Sequence, residues 1–225
     1  MLYSIFTGVL TERKQVDELF CLLIVIACLC LISISKLIDK KTFTTVFSSL
    51  FRVKKINKIN FIDSINIHPV SSFLMALNCF FSLSLCIYIC LKHYYINDNL
   101  FLFSSLAALI SLFIPVFSFV LLTLILGDKK LKKNGLFVTI RTFEFSGIFF
   151  LILNLSYFSS TIGLSSFIYT LFTIYLLAYI HRSIKLSLKM INSGFLWYHL
   201  ILYLCTLEFI PFAVLASIYS RNLIG

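Results

Sequence analysis

Long runs of apolar residues, separated by short polar segments, divide the chain into six candidate membrane-spanning helices. A helix needs about 20 mostly apolar residues to cross the hydrocarbon core of a bilayer, and runs of this order recur along the sequence. The predicted helices cover residues 19–35, 70–91, 100–126, 136–158, 164–180 and 195–219. The start of the fourth helix is open between Leu136 and Phe145. The pattern predicts an all-α, polytopic membrane protein whose residues 1–225 form a single transmembrane domain.

A shorter amphipathic pattern lies between the first two predicted helices. Its apolar positions follow one helix face, with Ser and Thr on the other: Phe43, Val46, Phe47, Leu50 and Phe51. The spacing predicts a short helix over about residues 42–53, with basic residues on both sides. Two interpretations are open. The helix lies on an anionic inner leaflet, which suits an apolar stripe between cations, or it packs under the bundle.

The composition excludes two classes of protein. Of the 225 residues, 60% are hydrophobic and 12% are charged, whereas soluble domains are about 45–50% apolar and about 25% charged. A soluble globular enzyme and a disordered chain are therefore both excluded. The net charge of +10 would favour nucleic-acid binding in a soluble protein. Here the cations lie in short blocks between apolar runs, so no nucleic-acid partner is predicted.

The positions of the basic residues predict the orientation of the helices. Fourteen of the 19 Lys and Arg residues lie in the segments 36–58, 129–133 and 182–189, which follow the first, third and fifth predicted helices. Four lie near the chain ends or at Lys92, and Arg141 is left out because it falls within the fourth helix. Since cytoplasmic loops carry the excess of cations, we expect the three basic segments in the cytoplasm and both termini outside.

Glu208 lies near the middle of the sixth predicted helix, where an ionisable side chain costs about 2.5–3.5 kcal/mol on insertion scales. Pro211 has no amide hydrogen, so the carbonyl oxygen of Leu207 is left without its helical donor. One interpretation is a site for a proton, a cation or a polar substrate. The other is a structural hydrogen bond that locks the sixth helix to a neighbour. We favour the structural role, because no second acidic residue lies at a similar depth.

Arg141 and Glu144 are three residues apart and share one face of the fourth predicted helix. Their spacing favours structural pairing over catalysis, and a contact between Arg141 and Glu208 remains an alternative. Asn78 and Asn154 also lie within predicted spans, where we expect their side chains to form hydrogen bonds between helices.

A second group of polar residues is expected at the cytoplasmic face. His181 and Arg182 close the fifth predicted helix, while Trp197, Tyr198 and His199 open the sixth at the same level. Aromatic and cationic side chains at that depth are typical of an interfacial belt. A metal or phosphate site at His181 and His199 is the weaker alternative, because no third ligand is well placed.

The sequence contains no motif for a bound metal or cofactor. All seven cysteines fall within predicted spans, and none shows metal-ligand spacing, so they are interpreted as small buried apolar residues. A P-loop, a nucleophile elbow, a zinc-protease motif and a dinucleotide-binding glycine pattern are all missing from the sequence. We therefore predict neither a metal nor a cofactor.

Two C-terminal segments carry a resemblance to a known family. The sequence YLLAYIHR at 175–182 and the sequence LYLCTLEFIP at 202–211 resemble an integral-membrane family of Bacteroidota called domain of unknown function 4271. The string LYLCTLExxP is the specific part. The resemblance implies the cytoplasmic (inner) membrane of a Gram-negative envelope and implies no reaction. It points to Tyr203, Glu208 and Pro211 as residues to test.

The leading functional hypothesis is a non-enzymatic protein of the inner membrane. It would act through the anionic inner leaflet or a membrane-protein partner, as an envelope-assembly or secretion-associated factor, because the longest polar segment, residues 36–69, is too short for a catalytic domain. The first alternative is a small transporter, or a transporter subunit, with a mid-membrane site at Glu208 and Pro211. The second is an intramembrane enzyme that uses His181 and Arg182 on lipid headgroups.

Overall fold

The computed structural model describes residues 18–40, 43, 44, 46, 47, 69–94, 99–127, 129–159 and 162–192. This part of the chain forms five α-helices: α1 (Glu18–Ile38), α2 (Pro69–Tyr94), α3 (Leu100–Leu126), α4 (Lys129–Phe158) and α5 (Leu164–Asn192). No strand occurs among these residues, which confirms the predicted all-α class for them. Each helix is long and apolar enough to cross a membrane, as expected of a multi-pass membrane protein.

The predicted sixth helix, residues 195–219, lies outside the described residues. The same is true of four candidate site residues that it carries: His199, Tyr203, Glu208 and Pro211. The fold below is therefore that of the first five helices.

Several helix boundaries differ from the sequence prediction, and α2 ends at Tyr94 rather than at residue 91. α4 begins at Lys129, before both Leu136 and Phe145, although its apolar segment starts at Gly135. Lysine has a good helix propensity, so the polar stretch before Gly135 continues the helix. α1 continues beyond the predicted end at residue 35 as far as Ile38, with Lys36 in its last turn. A cation is favourable there because it lies near the negative end of the helix dipole.

The predicted end of the fifth helix at Ile180 is wrong. α5 continues to Asn192, so His181 and Arg182 lie within the helix rather than at its end. The prediction fails because it treats Arg182 as a cation at the membrane surface, whereas Arg182 is 2% exposed and forms hydrogen bonds to other helices. It is an interior side chain and does not mark the membrane surface.

Contacts between the helices show how they alternate in direction. Phe20 near the start of α1 packs against Tyr88 near the end of α2, with ring centroids 6.3 Å apart. At the other end of this pair, the Ser35 and Ser71 hydroxyl oxygens are 2.7 Å apart. α1 and α2 are therefore antiparallel.

α2 and α4 run parallel to each other. Ser72 near the start of α2 contacts Glu144 at the middle of α4, and Cys86 contacts Asn154 further along both helices. The starts of α2 and α4 therefore lie at the same end of the bundle as the end of α1. We call this the basic end, because Lys36 of α1 and the lysine-rich first turns of α4 lie there.

α2 and α4 form the centre of the bundle. α2 packs against α1, α3 and α4, and α4 packs against α2, α3 and α5. In the most apolar stretch of α2 and of α4, 56% of the residues are buried, whereas in the corresponding stretches of α1 and α3 the share is 22%. The outer helices thus expose apolar side chains, which suits contact with lipid tails that are as apolar as leucine.

The cysteines only partly follow the prediction. Cys21 and Cys28 of α1 and Cys79 and Cys86 of α2 belong to the buried core. Cys30, however, is exposed on α1, so the prediction of burial is wrong for that residue. It lies two residues after Cys28 and therefore on a different side of the helix, away from α2.

Four residues of the predicted segment 42–53 are described, namely Phe43, Thr44, Val46 and Phe47, and all four are helical. Val46 is fully buried, and the Phe47 ring meets the Phe145 ring of α4 edge-on, with centroids 5.4 Å apart. These contacts are those of a segment packed against the bundle. The rest of the segment lies outside the described residues.

Gly147 allows α2 and α4 to approach closely. A Cβ atom added at Gly147 would lie 2.7 Å from the Cα of Cys79 in the α2 backbone. The Ser82 hydroxyl donates a hydrogen bond to the Gly147 carbonyl oxygen at 3.3 Å. Because the clash is with backbone, a side chain at this position requires the two helices to separate.

We expect Gly147→Ala to lower the apparent midpoint of thermal unfolding, because overpacking a tight contact typically costs about 1–3 kcal/mol. The measurement is a thermal unfolding curve of the purified protein in detergent. Gly163→Ala is the matched control, since a Cβ there meets nothing within 4 Å. Equal shifts for the two variants would contradict the prediction.

Candidate functional site

The structure brings Arg141 and Glu144 together in the bundle interior. Both residues belong to α4; Arg141 is 4% exposed and Glu144 is fully buried. The Arg141 Nη1 donates to the Glu144 Oε2 in a salt bridge. The other carboxylate oxygen, Oε1, accepts a hydrogen bond from the Ser72 hydroxyl of α2 at 2.5 Å. Glu144 therefore joins α4 to α2.

Arg141 has a second contact on its own helix. Its guanidinium lies over the Phe137 ring, 5.0 Å from the ring centroid, which is a cation–π geometry. Its Nε finds no hydrogen-bond acceptor within the described part of the chain. Taking two charges out of water is costly, and the attraction between them offsets that cost only with good geometry and additional hydrogen bonds. Ser72 provides one such bond.

Arg182 forms a second buried cationic site and connects three helices. From α5, its Nε donates to the Thr139 Oγ1 of α4 at 3.3 Å, and its Nη2 donates to the Pro115 carbonyl oxygen of α3 at 2.8 Å. The prediction that Arg182 belongs to an interfacial belt is wrong, because its side chain is buried between helices and does not face outward. We call Ser72, Thr139, Arg141, Glu144 and Arg182 the polar layer.

A small cavity of about 30 Å³ lies next to Arg182, between α2, α3, α4 and α5. Most of its walls are apolar, but four hydroxyl-bearing side chains also line it: Thr142, Ser146, Tyr175 and Tyr179. A cavity of this size has room for about one water molecule.

His181 lies beside the polar layer and is half-buried. Its Nε2 is buried and has no hydrogen-bond partner among the residues that the structure describes. Within the same residues, no group of three His, Cys, Asp or Glu side chains is placed to hold a metal ion. The proposed companion of His181, His199, lies outside the described residues.

The two buried asparagines behave differently. Asn154 of α4 donates from Nδ2 to the Ser82 carbonyl oxygen of α2 at 2.9 Å, and its Oδ1 accepts from the Cys86 thiol at 3.2 Å. This confirms the predicted hydrogen bond between helices. Asn78 is also fully buried, but neither of its side-chain polar atoms has a partner within the described ranges.

The Arg141–Glu144 pair was predictable from the sequence, whereas two other members of the polar layer, Ser72 and Thr139, were not predicted. Ser72 and Thr139 carry no charge, and many serines and threonines occur in the predicted spans. Arg182 was noticed but assigned to the surface. Arg182 follows Tyr175 by seven residues and Tyr179 by three, so the three side chains share one face of a continuous helix. This spacing is the sequence signal for an interior position.

Comparison with known proteins gives one match. A family model described as domain of unknown function (DUF4271) matches residues 21–218, which include almost all of the five described helices and most of the predicted sixth. No curated protein and no solved structure matches the chain.

We expect Glu144→Leu to destabilise the protein by about 3–5 kcal/mol, because it leaves the buried Arg141 guanidinium without its carboxylate. The double variant Arg141→Met/Glu144→Leu should recover most of this loss, since both charges are then removed. The measurement is the apparent unfolding midpoint of each purified variant in detergent.

Lys36→Gln is the control for this pair of variants. Lys36 is an exposed cation at the end of α1, and a surface substitution of this kind typically changes stability by less than about 0.5 kcal/mol. If the double variant is as unstable as Glu144→Leu, the salt bridge is not what Glu144 contributes.

Proposed function

This chain belongs to the DUF4271 family, and we propose that it is a non-enzymatic protein of the cytoplasmic membrane that acts through protein or lipid partners in the cell envelope. Family membership supports a multi-pass membrane protein and carries no reaction. The role proposed for it is that of an envelope-assembly or secretion-associated factor.

The engagement of the polar layer in contacts between helices carries this proposal. Glu144 is held by Arg141 and Ser72, and Arg182 bonds to α3 and α4. A catalytic group has to reach a reacting atom in a pocket that admits the substrate. The cavity beside Arg182 has room for about one water molecule. The described charges thus support a structural role.

The lipid part of the proposal rests on the outer surface and on the basic end. α1 and α3 expose large apolar side chains along most of their length, including Leu23, Leu102 and Phe113. In the sequence, the segment 36–58 at and after the end of α1 contains seven basic residues. Cations next to a membrane surface attract anionic lipids by about 1 kcal/mol each. An anionic inner leaflet is the proposed lipid partner.

The proposed orientation places the basic end in the cytoplasm and both termini outside. Tyr88 near the end of α2 meets Phe101 near the start of α3, and Tyr157 near the end of α4 meets Phe167 near the start of α5, so these helices also alternate in direction. The alternation supports the orientation, because the three basic segments then follow helices that end on the same side. Arg182 is one of the fourteen basic residues counted in the three basic segments. Because it is buried, it can be left out of the count, and the remaining residues still outnumber the four on the other side, so the predicted orientation is the same.

A small transporter is the second candidate, and one observation favours it. Arg182 and the hydroxyl-bearing residues Tyr175 and Tyr179 line a cavity between four helices, which is where substrates bind in helix bundles. In this candidate, Glu208 and Pro211 of the predicted sixth helix would complete a mid-membrane site. An enzyme acting on headgroups has no such support, because Arg182 is buried among neighbouring helices.

We expect alkaline phosphatase fused after Gly225, or inserted after Asn97, to be active, because both positions are then outside the cytoplasm. The same reporter inserted after Asp128 should be inactive, and a fluorescent protein there should fold. Measuring both activities in intact cells tests the orientation. Phosphatase activity only after Asp128 would show the reverse orientation. Phosphatase activity after Asn97 without activity after Gly225 would exclude a sixth span.

The functional proposal is tested by purifying the tagged protein from native membranes in lipid nanodiscs and identifying co-purifying proteins and lipids by mass spectrometry. We expect a stoichiometric protein partner, or an anionic lipid enriched over its share of the membrane. Glu208→Gln keeps hydrogen-bonding capacity and should leave that composition unchanged. A retained small molecule that is lost in Glu208→Gln would instead support the transporter.

A further inference from the structure

The cavity beside Arg182 lies where α3 and α5 are separated on the surface of α4. Both helices pack against α4, but they form no extended contact with each other. The Arg182 side chain crosses from α5 to α3, where it donates to the Pro115 carbonyl oxygen. Two helices bridged by a long side chain do not close on each other, so a space of about 30 Å³ is left between them.

The whole wall of this cavity lies at membrane depth. Each residue that lines it belongs to the membrane-length apolar stretch of α2, α3, α4 or α5. Bulk water does not reach that depth in a bilayer, so a partner inside the bundle strongly stabilises a polar group on the wall. A cavity with purely apolar walls stays dry, whereas one with two to four polar partners holds water. The hydroxyl groups on the wall therefore decide what the cavity contains.

Two hydroxyl oxygens of α4 provide hydrogen-bond acceptors on the wall. The Thr142 hydroxyl donates to the Val138 carbonyl oxygen at 2.9 Å, and the Ser146 hydroxyl donates to the Phe143 carbonyl oxygen at 3.0 Å. The Ser146 Oγ also lies 3.7 Å from the Cys79 Sγ. Because a hydroxyl oxygen has two lone pairs besides its one hydrogen, both oxygens can still accept a hydrogen bond from a molecule in the cavity. Their spacing of four residues places them on one face of α4.

The Tyr175 hydroxyl of α5 provides a donor on the opposite wall. Tyr175 lines the cavity and packs against the apolar core. No hydrogen bond joins its hydroxyl to another residue in the part of the chain that the structure describes. Arg182 is not needed as a donor, since it already bonds to α3 and α4. The wall thus offers one donor from α5 and two acceptors from α4.

A water molecule matches both the size of the cavity and these three groups. The volume of about 30 Å³ has room for about one water. A buried water typically forms about three hydrogen bonds, which is the number that Tyr175, Thr142 and Ser146 provide together. Water also carries no charge, so its binding needs no counter-ion in the bundle.

We propose that the cavity is a binding site for one ordered water molecule, which accepts a hydrogen bond from the Tyr175 hydroxyl and donates to the Thr142 and Ser146 hydroxyl oxygens. The water links α5 to α4 through polar contacts. Such a link is valuable for α5, because 6% of the residues in its most apolar stretch are buried, the smallest share among the five helices. The proposed function does not depend on this water.

Radiolytic labelling tests the site in the unaltered protein. Brief X-ray exposure converts water into hydroxyl radicals, so a bound water oxidises the side chains beside it. Phe150 lines the cavity and is 1% exposed, whereas Phe167 is fully buried outside it and is the matched control. We expect mass spectrometry of the full-length protein in lipid nanodiscs to show a several-fold higher oxidation rate for Phe150. Equal rates for the two rings would overturn the proposal.

Removing the hydroxyl groups tests the partners of the water. Thr142→Val/Tyr175→Phe keeps the shapes of both side chains and should lower the oxidation rate of Phe150 to that of Phe167. Tyr169→Phe is the control, since Tyr169 is 74% exposed on α5, and it should leave the Phe150 rate unchanged. Because both substitutions act on one water, the loss in unfolding midpoint of the double variant should be smaller than the sum of the single losses. An unchanged Phe150 rate in the double variant, or additive losses, would contradict the proposed site.

Discussion

The hydrocarbon core of a membrane contains no water to satisfy a polar group, so a partner elsewhere in the protein strongly stabilises a polar side chain in this bundle. Apolar contacts between helices add little there, because lipid tails are equally apolar. Contacts such as Glu144 with Ser72, Asn154 with Ser82 and Arg182 with Pro115 therefore specify which helices are neighbours. The close approach at Gly147 then allows tight packing between α2 and α4.

This constraint also shapes the functional interpretation. A charge that holds two helices together is less free to bind a substrate, and the buried side chains of Glu144 and Arg182 lie in such contacts. The exposed surface of α1 and α3 is apolar and the basic end is cationic, which together suit a protein that works at a membrane surface with a partner. The small cavity beside Arg182 keeps a transporter as the second candidate.

Much of the fold was predictable because hydrophobic length and periodicity are local properties. The third helix has the predicted bounds, Leu100–Leu126, since polar residues and Gly127 in a left-handed conformation mark its ends. Arg141 and Glu144 were predictable as a pair because their spacing is also local. Arg182 was misplaced because a cation near the end of an apolar run has the same sequence signature whether it faces headgroups or another helix.

By itself the sequence determined an all-α membrane protein, the positions of five spans, the excess of cations at one end and the Arg141–Glu144 pair. These follow from composition and from spacing along a single helix. Only the tertiary structure decided that Ser72 completes the Glu144 site, that Arg182 reaches α3 and α4, and that Cys30 faces outward. These features depend on which helix faces are neighbours, and distant residues become neighbours only when the helices pack.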